Sequence, residues 1–197
     1  MLILASQSPR RAELLRNAGL RFEVRPADLD ESLRSGEDSL EYVKRLAQEK
    51  ALAVLATAED GAVVLGADTT VVLDRESLGK PLDEEDARRM LGRLSGRTHQ
   101  VMTGVCLAWR DSLGTVMCEV QAEITEVEFA KMSVDETAAY VATGEPMDKA
   151  GAYAIQGRAS RWIPRINGCY FNVVGLPVAR VCAMLEKNGD MRGEPQD

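Results

Sequence analysis

The stretch Val63-Val64-Leu65-Gly66-Ala67-Asp68-Thr69-Thr70-Val71-Val72-Leu73 is an apolar run broken at its middle by one carboxylate and two hydroxyls. A continuous Val/Leu run of this kind reads as a strand buried on both faces. An unpartnered Asp68 carboxylate inside it would cost several kcal/mol. The strand is therefore expected to end or open at a polar cleft that supplies a cation or hydrogen-bond donors, which makes Asp68 the first candidate for chemistry. The alternative is an Asp that caps a neighbouring helix or pairs with a structural arginine. Gly66 and Ala67 leave room for something large to approach the backbone just before it.

Upstream, Leu2 to Ala5 is a short apolar strand, followed at once by Ser6-Gln7-Ser8-Pro9-Arg10-Arg11. Ser8 suits an N-cap and Pro9 the first helical position, while Ala12, Leu14, Leu15 and Ala18 recur at helical spacing until Gly19. Such a helix start offers unpaired N–H groups and the positive end of a dipole to an anion. Arg10 and Arg11 have the wrong charge for the first turn of a helix, which a bound phosphate would explain; a solvated turn paired with Glu13 or Asp28 is the other explanation. Phe22 to Pro26 reads as a second strand, and Asp28-Leu29-Asp30-Glu31-Ser32 as an acidic turn. Facing a phosphate site, that turn could lend a carboxylate to a divalent metal. Ser39 to Thr57 has helical periodicity, with Lys50 on or beside its inward stripe.

Downstream of the central strand, Asp74 to Ser77 reads as a turn and Leu78-Gly79-Lys80-Pro81 as a tight segment that defines the backbone around Lys80. Asp83 to Leu94 is a helix with acids in its first turn. Thr98 to Trp109 and Thr115 to Phe129 form a hairpin. His99, alone in a strand, is expected to be structural. Ser133 with Glu136 is a capping box, and Thr143-Gly144 ends that helix. Glu145 to Gly157 is an irregular loop dense in groups able to fix hydrogen bonds, suited to recognising a base or ribose. Arg161 to Cys169 reads as a strand and Leu176 to Lys187 as an amphipathic helix.

The composition sets bounds. A chain of 197 residues, 45% hydrophobic and 28% charged, can build one sizeable core or two lobes sharing a sheet. Its formal net charge of −7 argues against a nucleic-acid binder held by phosphate neutralisation, so any bound anion needs a local basic cluster. No apolar segment is long enough to cross a bilayer, and Met1 to Ser6 lacks the features of a signal peptide, so no membrane association and a cytoplasmic location are expected. Cys106, Cys118, Cys169 and Cys182 contain no C-x-x-C pair, and His99 is the single histidine. That combination argues against zinc and for free thiols. With no G-x-S-x-G turn, a Ser-His-Asp hydrolase is not expected either.

Several segments, in order over almost the whole chain, resemble the Maf family of nucleoside triphosphate pyrophosphatases: Ser6 to Leu15, Asp30-Glu31-Ser32, Glu49-Lys50-Ala51, Gly66-Ala67-Asp68-Thr69, Gly79-Lys80-Pro81, Leu94-Ser95-Gly96 with His99, Thr143-Gly144-Glu145-Pro146, Asp148 to Gly157, and Asn172 to Pro177. The resemblance implies an α/β fold of the inosine triphosphatase type, a mixed twisted sheet flanked by helices with two lobes around a central cleft. It implies one domain over residues 1–187, while the polar residues 188–197 read by their composition as a C-terminal tail. The implied activity is metal-dependent cleavage of a nucleoside triphosphate between the α and β phosphates. Position by position, Asp68 matches the catalytic carboxylate. Arg10, Thr69 and Gln156 match positions linked to substrate choice, and Ser8, Arg11, Glu31, Lys50 and Lys80 the remaining polar pocket. Mg²⁺ or Mn²⁺ would be held by Glu31 and Asp68 with phosphate oxygens. The segment Asp148 to Tyr153 with Ile155-Gln156-Gly157 looks like the branch acting on dTTP and UTP. The competing readings are a nucleotide-binding regulator of septum formation without turnover, and the same chemistry on a modified base such as 7-methyl-GTP. The nucleoside triphosphate is the expected partner, and a homodimer is the assembly considered.

Overall fold

A computed structural model describes residues 1–188, and the expected tail falls outside them from residue 189 onward. The central run is strand β3, Val63–Leu73, buried along nearly its whole length. It belongs to a seven-stranded mixed sheet that runs, in order, β2 (Glu23–Val24), β1 (Leu2–Ala5), β3, β5 (Thr98–Arg110), β6 (Val116–Glu128) and β7 (Arg165–Asn167), with β4 (Glu76–Leu78) also paired to β3. β1 runs parallel to both β2 and β3. β5 pairs antiparallel with β3, and β6 pairs antiparallel with β5, the two forming the long expected hairpin.

Burial on both faces of β3 has two different sources. Val63, Leu65, Ala67, Val71 and Leu73 face the larger core, built with helices α1 (Pro9–Asn17), α3 (Glu84–Leu94), α4 (Val134–Val141) and α6 (Val178–Lys187). The opposite face is covered by α2 (Ser39–Leu55), whose Ala47, Ala51 and Val54 pack with Ile3, Val64 and Cys106. Two glycines let α2 lie close. A Cβ on Gly66 would stand 2.0 Å from the Ala47 carbonyl oxygen, and one on Gly104 2.2 Å from that of Val43. The room left by Gly66 is thus filled by helix backbone.

The edge of β3 turned away from β5 is not continuously paired. β1 covers it from Val63 to Gly66, and β4 (Glu76–Leu78) from Val71 to Leu73. Between them, among the described residues, Ala67 to Thr70 have no strand partner on that side, so the sheet has a gap, flanked by the segments that leave β1 and β4.

The turn expected over Asp74 to Ser77 is confined to Asp74 and Arg75, and Glu76 and Ser77 already belong to β4. Asp74 and Arg75 both take positive φ, 55° and 67°, as a two-residue hairpin turn requires, although neither is glycine. β2 spans two residues instead of the expected Phe22 to Pro26, because Pro26 has no N–H to extend the ladder. The strand expected over Arg161 to Cys169 shrinks to β7, Arg165–Asn167. Pro164 cannot donate to a ladder, and before it Arg158–Trp162 coil into a 3₁₀ turn that buries Ala159 and Trp162. Tyr170–Val174 form a short helix, α5, that sequence reading did not anticipate. Ser8 caps α1, and Ser133 with Glu136 forms the capping box of α4, as expected.

Candidate active site

The gap in the sheet opens into a cleft of 860 Å³. Ser8, Arg10, Arg11, Glu31, Lys50, Asp68, Thr69, Lys80 and Gln156 all line it, so every residue singled out in the sequence reaches one cavity.

Asp68 points to the α2 side of β3 and is 8% exposed. Its Oδ1 accepts a hydrogen bond from Lys50 Nζ at 2.7 Å, and the same ammonium stands 2.6 Å from Glu31 Oε1. Lys50 is itself buried, so two carboxylates converge on one cation at the cleft floor. Burial pushes the Asp68 carboxyl above the ordinary aspartate range, against the pull of Lys50 and then Arg11. A carboxylate tuned this way can hold or release a proton closer to neutrality than a surface aspartate.

Glu31 lies on a segment without regular structure that α2 holds in place. Tyr42 Oη donates to the Glu31 carbonyl at 2.9 Å, and Arg45 donates to the Ser32 carbonyl at 3.0 Å and to Glu37 at 2.6 Å. Burial, with Asp68 and Glu31 nearby, pushes the Tyr42 phenol up to about 12. Tyr42 also lines the cleft and was not singled out in the sequence. Its signal was its place eight residues before Lys50, a little over two turns back and on a neighbouring face of the same helix.

Arg11 is a buried strut. Its Nε donates to the Gly175 carbonyl at 2.8 Å, Nη1 to Ser6 Oγ at 3.1 Å and the Ala67 carbonyl at 2.9 Å, and Nη2 to Thr69 Oγ1 at 3.0 Å. Those bonds join the turn after β1, the unpaired edge of β3 and the end of α5. Thr69 is engaged in the same network, 2.9 Å from Thr103 Oγ1. Neither Glu13 nor Asp28 pairs with the two arginines. Arg10, part-exposed at the cleft, instead meets Asp148 across it, Nη1 to Oδ2 at 3.2 Å. Lys80 and Gln156 are exposed at the rim, and among the described residues neither side chain makes a hydrogen bond or ion pair.

His99 stays out of the cleft. It is 2% exposed, with Nε2 2.8 Å from Tyr153 Oη and its ring among Phe129 and Tyr153. Burial pulls its pKa down to about 4. All four cysteines are free thiols. Among the described residues no group of three or more His, Cys, Asp or Glu side chains could cage a metal. The two carboxylates on Lys50 do suit a hard cation whose remaining ligands are phosphate oxygens.

The family model described as "Maf-like protein" matches residues 1–188. A dTTP/UTP pyrophosphatase of Koribacter versatilis is 54% identical over 188 residues, covering 95% of this chain and 94% of that one. One of Symbiobacterium thermophilum is 53% identical over 189 residues, with 95% and 94% covered. A HAM1 protein from Coxiella burnetii has a similar fold, with TM-score 0.50 at 16% identity over 94% of this chain and 98% of that chain. No helix among the described residues is long and apolar enough to cross a membrane.

Proposed function

The chain belongs to the Maf-like family, and on that premise we propose that it is a cytoplasmic nucleoside triphosphate pyrophosphatase, one catalytic domain over residues 1–187, that hydrolyses dTTP and UTP to the monophosphate and pyrophosphate. The observation that carries this reading is the convergence of Asp68 and Glu31 on Lys50 at the floor of a cleft rimmed by Arg10 and Lys80.

The triphosphate lies along the gap in the sheet. Arg10 and Lys80 bind it from the rim, the capped start of α1 beside Ser8 offers N–H groups, and Arg11 adds fixed positive charge from behind. Asp68 accepts the proton of the attacking water, and Lys50 keeps that carboxylate charged and oriented. Glu31 and Asp68 would hold Mg²⁺ or Mn²⁺ together with phosphate oxygens, and the ion would supply Lewis-acid polarisation of the α phosphate. Gln156 presents an amide, donor and acceptor both, to the edge of uracil or thymine.

The test is pyrophosphate release from a panel of dTTP, UTP, CTP, ATP, GTP and 7-methyl-GTP with either metal. The expected result is the highest kcat/KM on dTTP and UTP. Binding of these nucleotides without pyrophosphate release sinks the enzymatic reading, and a best rate on the methylated purine reassigns the substrate.

A further inference from the structure

The turn that carries Gln156 is held from outside the cleft by two side chains that the proposed chemistry does not use. Residues 154–157 close on themselves, the Gly157 N–H donating to the Ala154 carbonyl at 3.0 Å. At the entrance, the Ala154 N–H donates to Tyr140 Oη at 3.3 Å. At the exit, the Arg158 N–H donates to both carboxylate oxygens of Glu145, at 3.0 and 3.1 Å. Tyr140 Oη in turn donates to Glu145 Oε1 at 2.8 Å. One phenol and one carboxylate therefore tie the two ends of the turn to each other.

The surroundings leave this pair little freedom. Tyr140 is 2% exposed, with its ring tilted against Trp162 at 5.6 Å between centroids. A Cβ on Gly157 would stand 2.1 Å from Glu145 Oε1, so the carboxylate sits directly beneath that glycine. Within the turn Ile155 is buried in the core while Gln156 is exposed to the cleft. Burial, then the bond to Glu145, holds the Tyr140 phenol above its ordinary range, so it keeps the proton that this arrangement needs.

We propose that Tyr140 and Glu145 are positioning residues for base selection, their phenol–carboxylate pair fixing the height and angle at which the Gln156 amide meets a pyrimidine edge. This rests on the reading of Gln156 as the base contact. Hydrogen bonds weaken steeply as their geometry degrades, and a turn that must be ordered by the ligand lowers affinity. A clamp behind the turn removes both losses without touching the nucleotide.

The experiment compares Tyr140→Phe, Glu145→Gln and Gln156→Ala in the full chain, reading kcat, KM and Tm on dTTP, UTP and ATP. Tyr140→Phe removes both bonds of the hydroxyl, and KM for dTTP and UTP is expected to rise about 3- to 10-fold. kcat is expected to hold within about twofold, with KM for ATP unchanged, so the pyrimidine preference falls. Glu145→Gln keeps one acceptor oxygen for the Arg158 N–H and is expected to give a smaller change of the same kind. An unchanged preference in folded Tyr140→Phe, or an equal loss on all three nucleotides, overturns the proposal; if that variant fails to fold, Glu145→Gln is judged by the same criterion. Gln156→Ala with native preference overturns the base-contact reading and this proposal with it. A shift in Gln156→Ala with none in Tyr140→Phe removes the clamp alone.

Discussion

Lys50 Nζ lies 2.7 Å from Asp68 Oδ1, joining the middle of a helix to the stretch of β3 that, among the described residues, no neighbouring strand covers on the cleft side. The pair sits where the sheet's ladder is interrupted, and the residues around it sharpen the following expectations.

Asp68→Asn is isosteric and removes the proton acceptor. Turnover of dTTP is expected to fall at least about 100-fold, the low end of what a positioned general base contributes. Nucleotide binding by calorimetry should persist. Because burial opposes the Asp68 charge, the melting temperature should hold or rise. Native turnover in this variant would remove Asp68 from the chemistry.

In the proposed role of general base Asp68 acts deprotonated, so kcat/KM should climb as pH rises through its titration, with that acid limb above the ordinary aspartate range. Lys50→Met takes away the nearest charge favouring the ionised form and should move the limb to higher pH. Stripping the partner from a buried carboxylate should also cost about 3 kcal/mol by urea denaturation. Lys50→Met with Asp68→Asn should recover most of that loss. A limb that stays in place, or a double variant as unstable as the single one, contradicts the pairing.

Gly66→Ala places a methyl group against the Ala47 carbonyl, where only backbone can yield. Both Gly66→Ala and Gly104→Ala should lift α2 from the sheet, destabilise by about 3 kcal/mol and draw Lys50 away from Asp68. Gly92→Ala is the control. It lies exposed in α3 with nothing within 4 Å of its added Cβ, and should stabilise by about 0.5–1 kcal/mol. Thermal melts and kcat for the three variants check the contrast.

His99 titrates near 4 in the folded protein against about 6.5 in an unfolded chain. Its contribution is complete above pH 6.5 and is lost as pH falls toward 4, because there the unfolded state binds the proton and the folded state does not. The limiting loss is about 3 kcal/mol. His99→Gln can still pair with Tyr153 and cannot titrate, so urea stability measured across this window should fall less steeply with acid. Equal slopes for the two proteins would contradict the burial argument.

Much of this architecture was legible because local and tertiary signals agreed. Val63 to Leu73 read as a doubly buried strand and is one, and the caps at Ser8 and Ser133 marked their helices correctly. β4 stayed hidden because its turn uses Asp74 and Arg75 at positive φ without glycine or asparagine. The resemblance named residues that share one cleft, yet their partnerships were not readable. Lys50 meets Asp68 only because α2 crosses two glycines, and Arg11 meets the Gly175 carbonyl across 164 positions of sequence. Sequence spacing carries no trace of contacts that exist only after the sheet has assembled.

The two adjacent arginines at the start of α1 differ in how they are anchored. Arg11, bolted through four N–H groups into the frame, forms a preorganised electropositive wall that a polyanion meets without waiting for any rearrangement. Arg10 is docked on an acid of the opposite bank; in the proposed role an arriving phosphate would swap one counter-charge for another, and that exchange would make capture and release of nucleotide sensitive to ionic strength.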